Sequence, residues 1–324
     1  MKILICALLL AAASLSARAD APSLYSPSVL VYDVTRGEVV LEKNADDVRP
    51  IASLTKLMTA MVVIDKAQAM AATVTVDDAD IDRLKHSRSR LPVGTSLERE
   101  EMLRLALMSS ENRAASALSR SFPGGQSEFI QQMNLKARTL HMADTHFQDP
   151  TGLSPDNVST ARDVVKMAIE ASHYPTISSF TTLTSYEETI GSRTRFYRNT
   201  DPIVRWADWD VRLAKTGYTR EARRCIVADV DMPDGPVIIA LLGARSSGAR
   251  AADLAAIHKW MNGGQPPVIA PRVYYVSAGA HHQHSAVASQ AHRVKVQFAP
   301  WRTVSPVPSR RHPSHRISAS RSGA

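Results

Sequence analysis

The chain has 324 residues, a formal net charge of +8, two cysteines and 44% hydrophobic residues. A body of this length buries enough apolar surface to fold without disulfides. The charge is local: residues 265–324 hold eight of the 39 Lys and Arg and none of the 31 Asp and Glu, so the basic balance describes a tail and gives no ground for nucleic-acid binding by the body.

Residues 1–19 read as an export signal, with Lys2 as the positive charge, an apolar run from Ile3 to Leu10 extended by alanines, and Ala17-Arg18-Ala19 as a small-residue cleavage site. The apolar run is shorter than the roughly 20 residues needed to span a bilayer. Cys6 lies inside that run, away from the cleavage point, which argues against a lipoprotein anchor. Cleavage leaves Asp20 first and Cys225 as the only cysteine, so no intramolecular disulfide can form. An exported chain does not meet nucleic acid either.

Residues 28–34 read as a strand, 35–37 as a turn and 38–43 as the antiparallel partner. Residues 53–69 are apolar nearly all round, with Leu54, Leu57, Met58, Met61, Val62, Val63 and Ile64, which predicts a buried central helix. Helical patterns follow over 97–108 and, after the Pro123-Gly124-Gly125 break, over 126–140. Asp149-Pro150-Thr151-Gly152-Leu153 reads as a turn-rich loop, and Ser159 as the cap of a helix running to about residue 172. Strands return over 212–218, 225–230 and 237–242, and 249–261 reads as a closing helix. This order predicts an α+β fold: an antiparallel sheet of about five strands from both chain ends, with a helical subdomain inserted between them. The expected plan is a leader at 1–19, one folded body at 20–264 and a basic, His/Ser/Pro-rich, disordered tail at 265–324. The tail histidines His281, His282 and His284 are too weak a cluster to argue a metal site. Cys225 reads as a small buried hydrophobe in its strand.

Three short motifs fall in order along this frame: Ser53-Leu54-Thr55-Lys56, Ser110-Glu111-Asn112 and Lys215-Thr216-Gly217. Each alone is weak, but together they name a serine nucleophile activated by lysine. Ser53 and Lys56 are three apart, so on a helix they share a face. A free lysine is a poor base at neutral pH; burial lowers its pKa, and Lys215 facing it across a cleft would add a second lowering charge. Ser53 at a helix start offers its own N–H to a developing oxyanion. The second donor is expected from the N–H of Tyr218, with Gly217 letting a ligand lie close and the substrate binding as an added strand. Ser110 is expected to relay a proton to the leaving amine, Asn112 to hold Lys56 and the substrate backbone, and Lys215 with Thr216 to bind a carboxylate or carbonyl. A plainer alternative is that Ser110 and Asn112 only cap the following helix.

These residues resemble the low-molecular-mass penicillin-binding proteins, the serine-type D-alanyl-D-alanine peptidases. The likeness extends to Ser89-Arg90-Leu91-Pro92-Val93-Gly94-Thr95, the run Leu105 to Ala115, Asp149-Pro150-Thr151-Gly152-Leu153, the run Asn157 to Asp163, and Phe196-Tyr197-Arg198-Asn199-Thr200, all close to the D-alanyl-D-alanine endopeptidase branch. The resemblance implies a penicillin-binding/β-lactamase-like transpeptidase fold and a periplasmic enzyme that cuts D-alanyl–diaminopimelyl cross-links in peptidoglycan. It also implies catalytic Ser53, Lys56 and Ser110, substrate contacts from Asn112, Lys215, Thr216, Gly217 and Tyr218, acylation by β-lactams at Ser53, and no metal or organic cofactor. Arg198 would line the cleft. The chain beyond Gly264 lacks the amphipathic anchoring helix of the carboxypeptidase branch; its basic tail implies instead a weak, salt-sensitive hold on anionic wall or membrane surfaces. Three alternatives stand beside this: a carboxypeptidase of the same fold, a class A-type β-lactamase and a non-catalytic wall-binding protein. The lactamase needs a glutamate with asparagine four residues on. Between Asn112 and Lys215, Glu128, Glu170, Glu187 and Glu188 have Gln132, Tyr174, Gly191 and Ser192 at that offset.

Overall fold

A computed structural model of the chain describes residues 21–206 and 208–263. The proposed leader and the tail, with its histidines, lie outside them. The elements in chain order are β1 (Ser28–Asp33), β2 (Glu38–Lys43), β3 (Arg49–Pro50), α1 (Thr55–Asp65), β4 (Thr73–Thr75), β5 (Ser96–Glu98), α2 (Arg99–Met108), α3 (Asn112–Arg120), α4 (Gly125–Thr139), β6 (Val158–Ser159), α5 (Ala161–Ser172), α6 (Pro175–Thr182), β7 (Ser185–Ile190), β8 (Arg193–Arg198), β9 (Asp210–Thr219), β10 (Arg223–Met232), β11 (Gly235–Ala244) and α7 (Ser247–Met261).

The main sheet has five antiparallel strands in the order β2-β1-β11-β10-β9. It joins the first two strands of the described chain to the last three, as the sequence order predicts. Its inner strands are buried on both faces, which is why β1 and β11 read as nearly unbroken apolar runs. Alternate residues divide between two cores. Leu30, Cys225, Val227, Ile238 and Ala240 face α1 and α5, while Val29, Val31, Ile226, Ala228 and Ile239 pack with Leu254 and Ile257 of α7. β9 is an edge strand, bonded to β10 alone within the sheet. Among the described residues no helix is long and apolar enough to cross a membrane.

α1 is buried along nearly its whole length, from Thr55 to Val63. It begins two residues later than its apolar pattern, because Ala52–Leu54 form a 3-10 turn ahead of it. It also stops earlier: Ala67 has a left-handed φ of 52°, which ends the helix near Lys66. Residue 97 is in strand β5, not in α2, and the cap of α5 is Thr160 rather than Ser159. The Thr160 hydroxyl accepts from Asp163 N at 3.0 Å, while Ser159 pairs with Arg49 in a short ladder. The β7–β8 hairpin carries no clear apolar period-2 pattern, since its exposed positions are arginine, threonine, glutamate and Phe196 and one of its buried ones is Glu188.

The loop at 149–154 is built around one carboxylate. Asp149 accepts from the N–H groups of Thr151, Gly152 and Ser154, and the Asn157 amide ties the loop to the first residue of α1 through Thr55 Oγ1 at 3.1 Å. This presses Gly152, at φ 82°, onto the turn before α1, where a Cβ would lie 2.0 Å from Ala52 O. Gly152→Ala is therefore expected to lower unfolding free energy by about 2–4 kcal/mol in urea titrations. A variant as stable as the parent would mean that this contact can relax freely.

Candidate active site

Ser53 sits on the 3-10 turn that leads into α1. The preceding residue, Ala52, has a φ of 47°, a region L-residues rarely adopt. Two backbones hold it there. One is the loop at Gly152. The other is β9 at Gly217, where a Cβ would lie 2.8 Å from Ile51 O and 3.0 Å from Ser53 N. The bare Cα of Gly217 thus makes room for the Ser53 turn, a contact its expected role did not include.

Lys56, one turn on, is 1% exposed. Its Nζ donates to Thr151 O at 2.6 Å and to Asn112 Oδ1 at 2.7 Å, and lies 2.9 Å from Ser53 Oγ. The Asn112 amide is fixed in this sense, because its Nδ2 donates to Ser87 Oγ at 2.9 Å. Burial pushes the Lys56 amine down to about 8, against the upward pull of the Asp149 and Glu111 carboxylates.

Lys215 belongs to a second network. Its Nζ donates to Ser110 Oγ at 3.0 Å and to Thr216 O at 3.1 Å, and Thr216 Oγ1 donates to Thr200 Oγ1 at 3.0 Å. Burial, and then the charge of Lys56, holds its amine well below the usual lysine range; Asp201 opposes this and Arg250 reinforces it. This refines the expected electrostatics. At Lys56 burial dominates, and the repulsion between the two amines is felt at Lys215. Asp201 is itself fully buried, and burial pushes its carboxyl up to about 6 despite Arg250, Lys215 and Arg205 around it.

Ser110 has a φ of 58°, and the N-cap of α3 is Glu111, with no side-chain cap bond. Ser110 and Asn112 are thus not capping residues; they turn toward Lys215 and Lys56 respectively. Tyr218 is 53% exposed, with the Arg224 guanidinium 3.8 Å from its ring centroid. Arg198 is exposed on β8, its guanidinium over the Phe196 ring.

Sequence reasoning did not find the Thr151 carbonyl, Ser87, Thr200 or the buried Asp201 and Arg250. A backbone carbonyl has no residue-type signature. Asp149 and Asn157, which position that carbonyl, lie in runs that carry the family resemblance, but the sequence assigned no role to either. Among the described residues no group of three or more His, Cys, Asp or Glu is placed to hold a metal ion. A surface depression of about 610 Å³ lined by Asp65, Lys66, Phe122, Glu128 and Lys136 shares no residue with this cluster.

The lowered Lys56 pKa makes stability depend on pH. Between about pH 8 and about 10.4 the unfolded chain still binds a proton at this lysine and the folded chain does not, so stability rises with pH across that window. Relative to Lys56→Met, the parent is expected to gain about 3 kcal/mol over the window in urea unfolding. A difference independent of pH would show that the folded protein carries the amine charged.

The family model described as D-alanyl-D-alanine carboxypeptidase, peptidase S11, matches residues 15–246. A D-alanyl-D-alanine endopeptidase of Pseudomonas aeruginosa is 39% identical over 250 residues, covering 76% of this chain and 80% of that protein. One from Escherichia coli is 38% identical over 260 residues, covering 79% and 84%. Among solved structures, the Streptomyces K15 DD-transpeptidase aligns with a TM-score of 0.69 at 27% identity, over 75% of this chain and 99% of that one. The five-stranded sheet with its inserted helices is thus the DD-transpeptidase fold, and the chain belongs to the peptidase S11 family of serine-type D-alanyl-D-alanine peptidases.

Proposed function

We propose that the protein is a peptidoglycan D-alanyl-D-alanine endopeptidase that cleaves D-alanyl–diaminopimelyl cross-links through an acyl-enzyme on Ser53. The observation that carries this is the set of contacts at Lys56 Nζ. A neutral amine has two N–H groups and one lone pair. Thr151 O can only accept, and so can Asn112 Oδ1 in its fixed orientation, so both N–H groups are used. The lone pair then falls on Ser53 Oγ at 2.9 Å, which donates its hydrogen to it. Thr151 O, at 3.5 Å from Ser53 Oγ, competes weakly.

In this reading Lys56 takes the proton as Ser53 Oγ attacks the D-alanyl carbonyl. The N–H groups of Ser53 and Tyr218 receive the oxyanion; that β9 passes beside Ser53 N at Gly217 supports the pairing. The leaving amine takes a proton through Ser110, which Lys215 holds. Water then cleaves the ester with the roles of acid and base reversed. The open edge of β9 suits an extended peptide, and Lys215 with Thr216 lies where its carbonyl or carboxylate side would sit. The two relatives at 38–39% identity are both named endopeptidases, which favours a cross-linked substrate over a free D-Ala-D-Ala terminus.

The same nucleophile would be acylated by β-lactams, and the missing Glu-x-x-x-Asn pattern leaves no water-activating glutamate of the lactamase kind. A periplasmic location rests on the leader-like residues 1–19, and a weak hold on anionic surfaces on the basic tail at 265–324.

Incubation with benzylpenicillin is expected to leave a stable penicilloyl adduct on the parent and none on Ser53→Ala, read by intact-protein mass spectrometry. Digestion of purified cross-linked muropeptides is expected to release monomers; release of free D-alanine alone would move the assignment to a carboxypeptidase. Because the neutral amine is the base, the acylation rate is expected to climb with pH and reach half its maximum near 8. A rate constant between pH 6 and 9 would remove Lys56 from that role.

A further inference from the structure

One set of cations beside the cleft has no part in this chemistry. Residues 82–91 form a loop whose first turn is pinned by Asp82, which accepts from the N–H groups of Leu84, Lys85 and Ser87. Ser87 reaches the site by accepting from Asn112. Lys85 crosses to the other side and pairs with Glu221 at 2.5 Å, in the turn that joins β9 to β10, three residues after Tyr218. Loop and turn thus meet beside the cleft.

Both are crowded with arginine. Arg83 and Arg88 on the loop, Arg220 on the turn and Arg223 at the first position of β10 are all exposed, and none has an ion-pair partner among the described residues. The acid of the turn, Glu221, is taken up by Lys85, and that of the loop, Asp82, by backbone N–H groups. Elsewhere Arg36, Arg49, Arg120 and Arg162 each have a carboxylate within 3.4 Å. Four unmatched guanidinium groups thus lie where loop and turn meet, and charge of one sign gathered in one place raises the local density of the opposite ion.

We propose that this collar binds free carboxylates on the part of a cross-linked peptide that lies outside the cleft. The inference rests on the endopeptidase reading. Two linked stem peptides carry several carboxylates, and planar guanidinium groups grip carboxylates through paired N–H bonds. A small acylating agent fills the cleft alone and does not reach the collar. The collar thus selects the larger substrate through KM, and it is exposed enough for salt to screen it, since the Debye length is about 8 Å at 0.15 M.

The test measures two reactions on the same protein: acylation by a fluorescent penicillin, and the KM for purified cross-linked muropeptide. With the parent, raising salt from about 0.02 to about 0.5 M is expected to raise the muropeptide KM and leave acylation unchanged. Arg83→Glu with Arg88→Glu, and separately Arg220→Glu with Arg223→Glu, are expected to raise that KM roughly fivefold and flatten its salt dependence, with acylation within about twofold of the parent. The matching Arg→Gln pairs give smaller shifts in the same direction and guard against misfolding, which the acylation rate reports. Unchanged KM and salt dependence in variants that still acylate would overturn the collar. Failure of the parent to acylate at all would instead overturn the reading of Ser53.

Discussion

An ammonium group cannot be dehydrated cheaply, and the site is built on that cost. Lys56 is placed where water does not reach, so its proton is held loosely, near pH 8 rather than in the usual lysine range. The burial comes from α1, whose residues from Thr55 to Val63 are all covered by neighbouring elements. A helix with one polar face would have left the amine in solvent. The apolar character of α1 therefore lowers the Lys56 pKa as well as forming the core.

The geometry around that amine is held by strain and by close packing. Ala52 and Ser110 both have left-handed backbones, although neither is glycine. Ala52 is kept in place by the two glycines that flank it, Gly152 from the loop and Gly217 from β9, each pressed against the Ala52–Ser53 turn with no space for a Cβ. Asp149 and Asn157 stiffen the loop, so the Thr151 carbonyl arrives as a fixed acceptor. Sheet, loop and helix together aim one lone pair.

Charge is arranged on two scales. Inside, Lys56, Lys215, Asp201 and Arg250 are buried near one another, and each alters the protonation of a neighbour. Outside, Arg36, Arg120 and Arg162 are paired with carboxylates, while Arg83, Arg88, Arg220 and Arg223 beside the cleft are not. In the proposed mechanism the first arrangement serves proton transfer at Ser53. The second acts over a longer range and is open to screening.

Much of this was legible from the chain alone. Alternating or unbroken apolar runs identified the five main strands, because a covered sheet demands them, and the three motifs singled out Ser53, Lys56, Ser110, Asn112 and Lys215, whose side chains the fold brings into contact. Boundaries slipped where a local conformation overrode the pattern, as at the 3-10 turn before α1 and the Thr160 cap of α5. The β7–β8 hairpin was hidden because it is largely polar, with a glutamate buried and a phenylalanine exposed, so no apolar period marks it. Only the tertiary structure decided that the Thr151 carbonyl completes the lysine's partners, that Ser87 fixes the Asn112 amide, that Gly217 yields to the serine turn and that Lys85 meets Glu221. Those contacts join residues 25 to 166 positions apart through backbone atoms, bare Cα positions and surface charges, none of which leaves a mark in residue order.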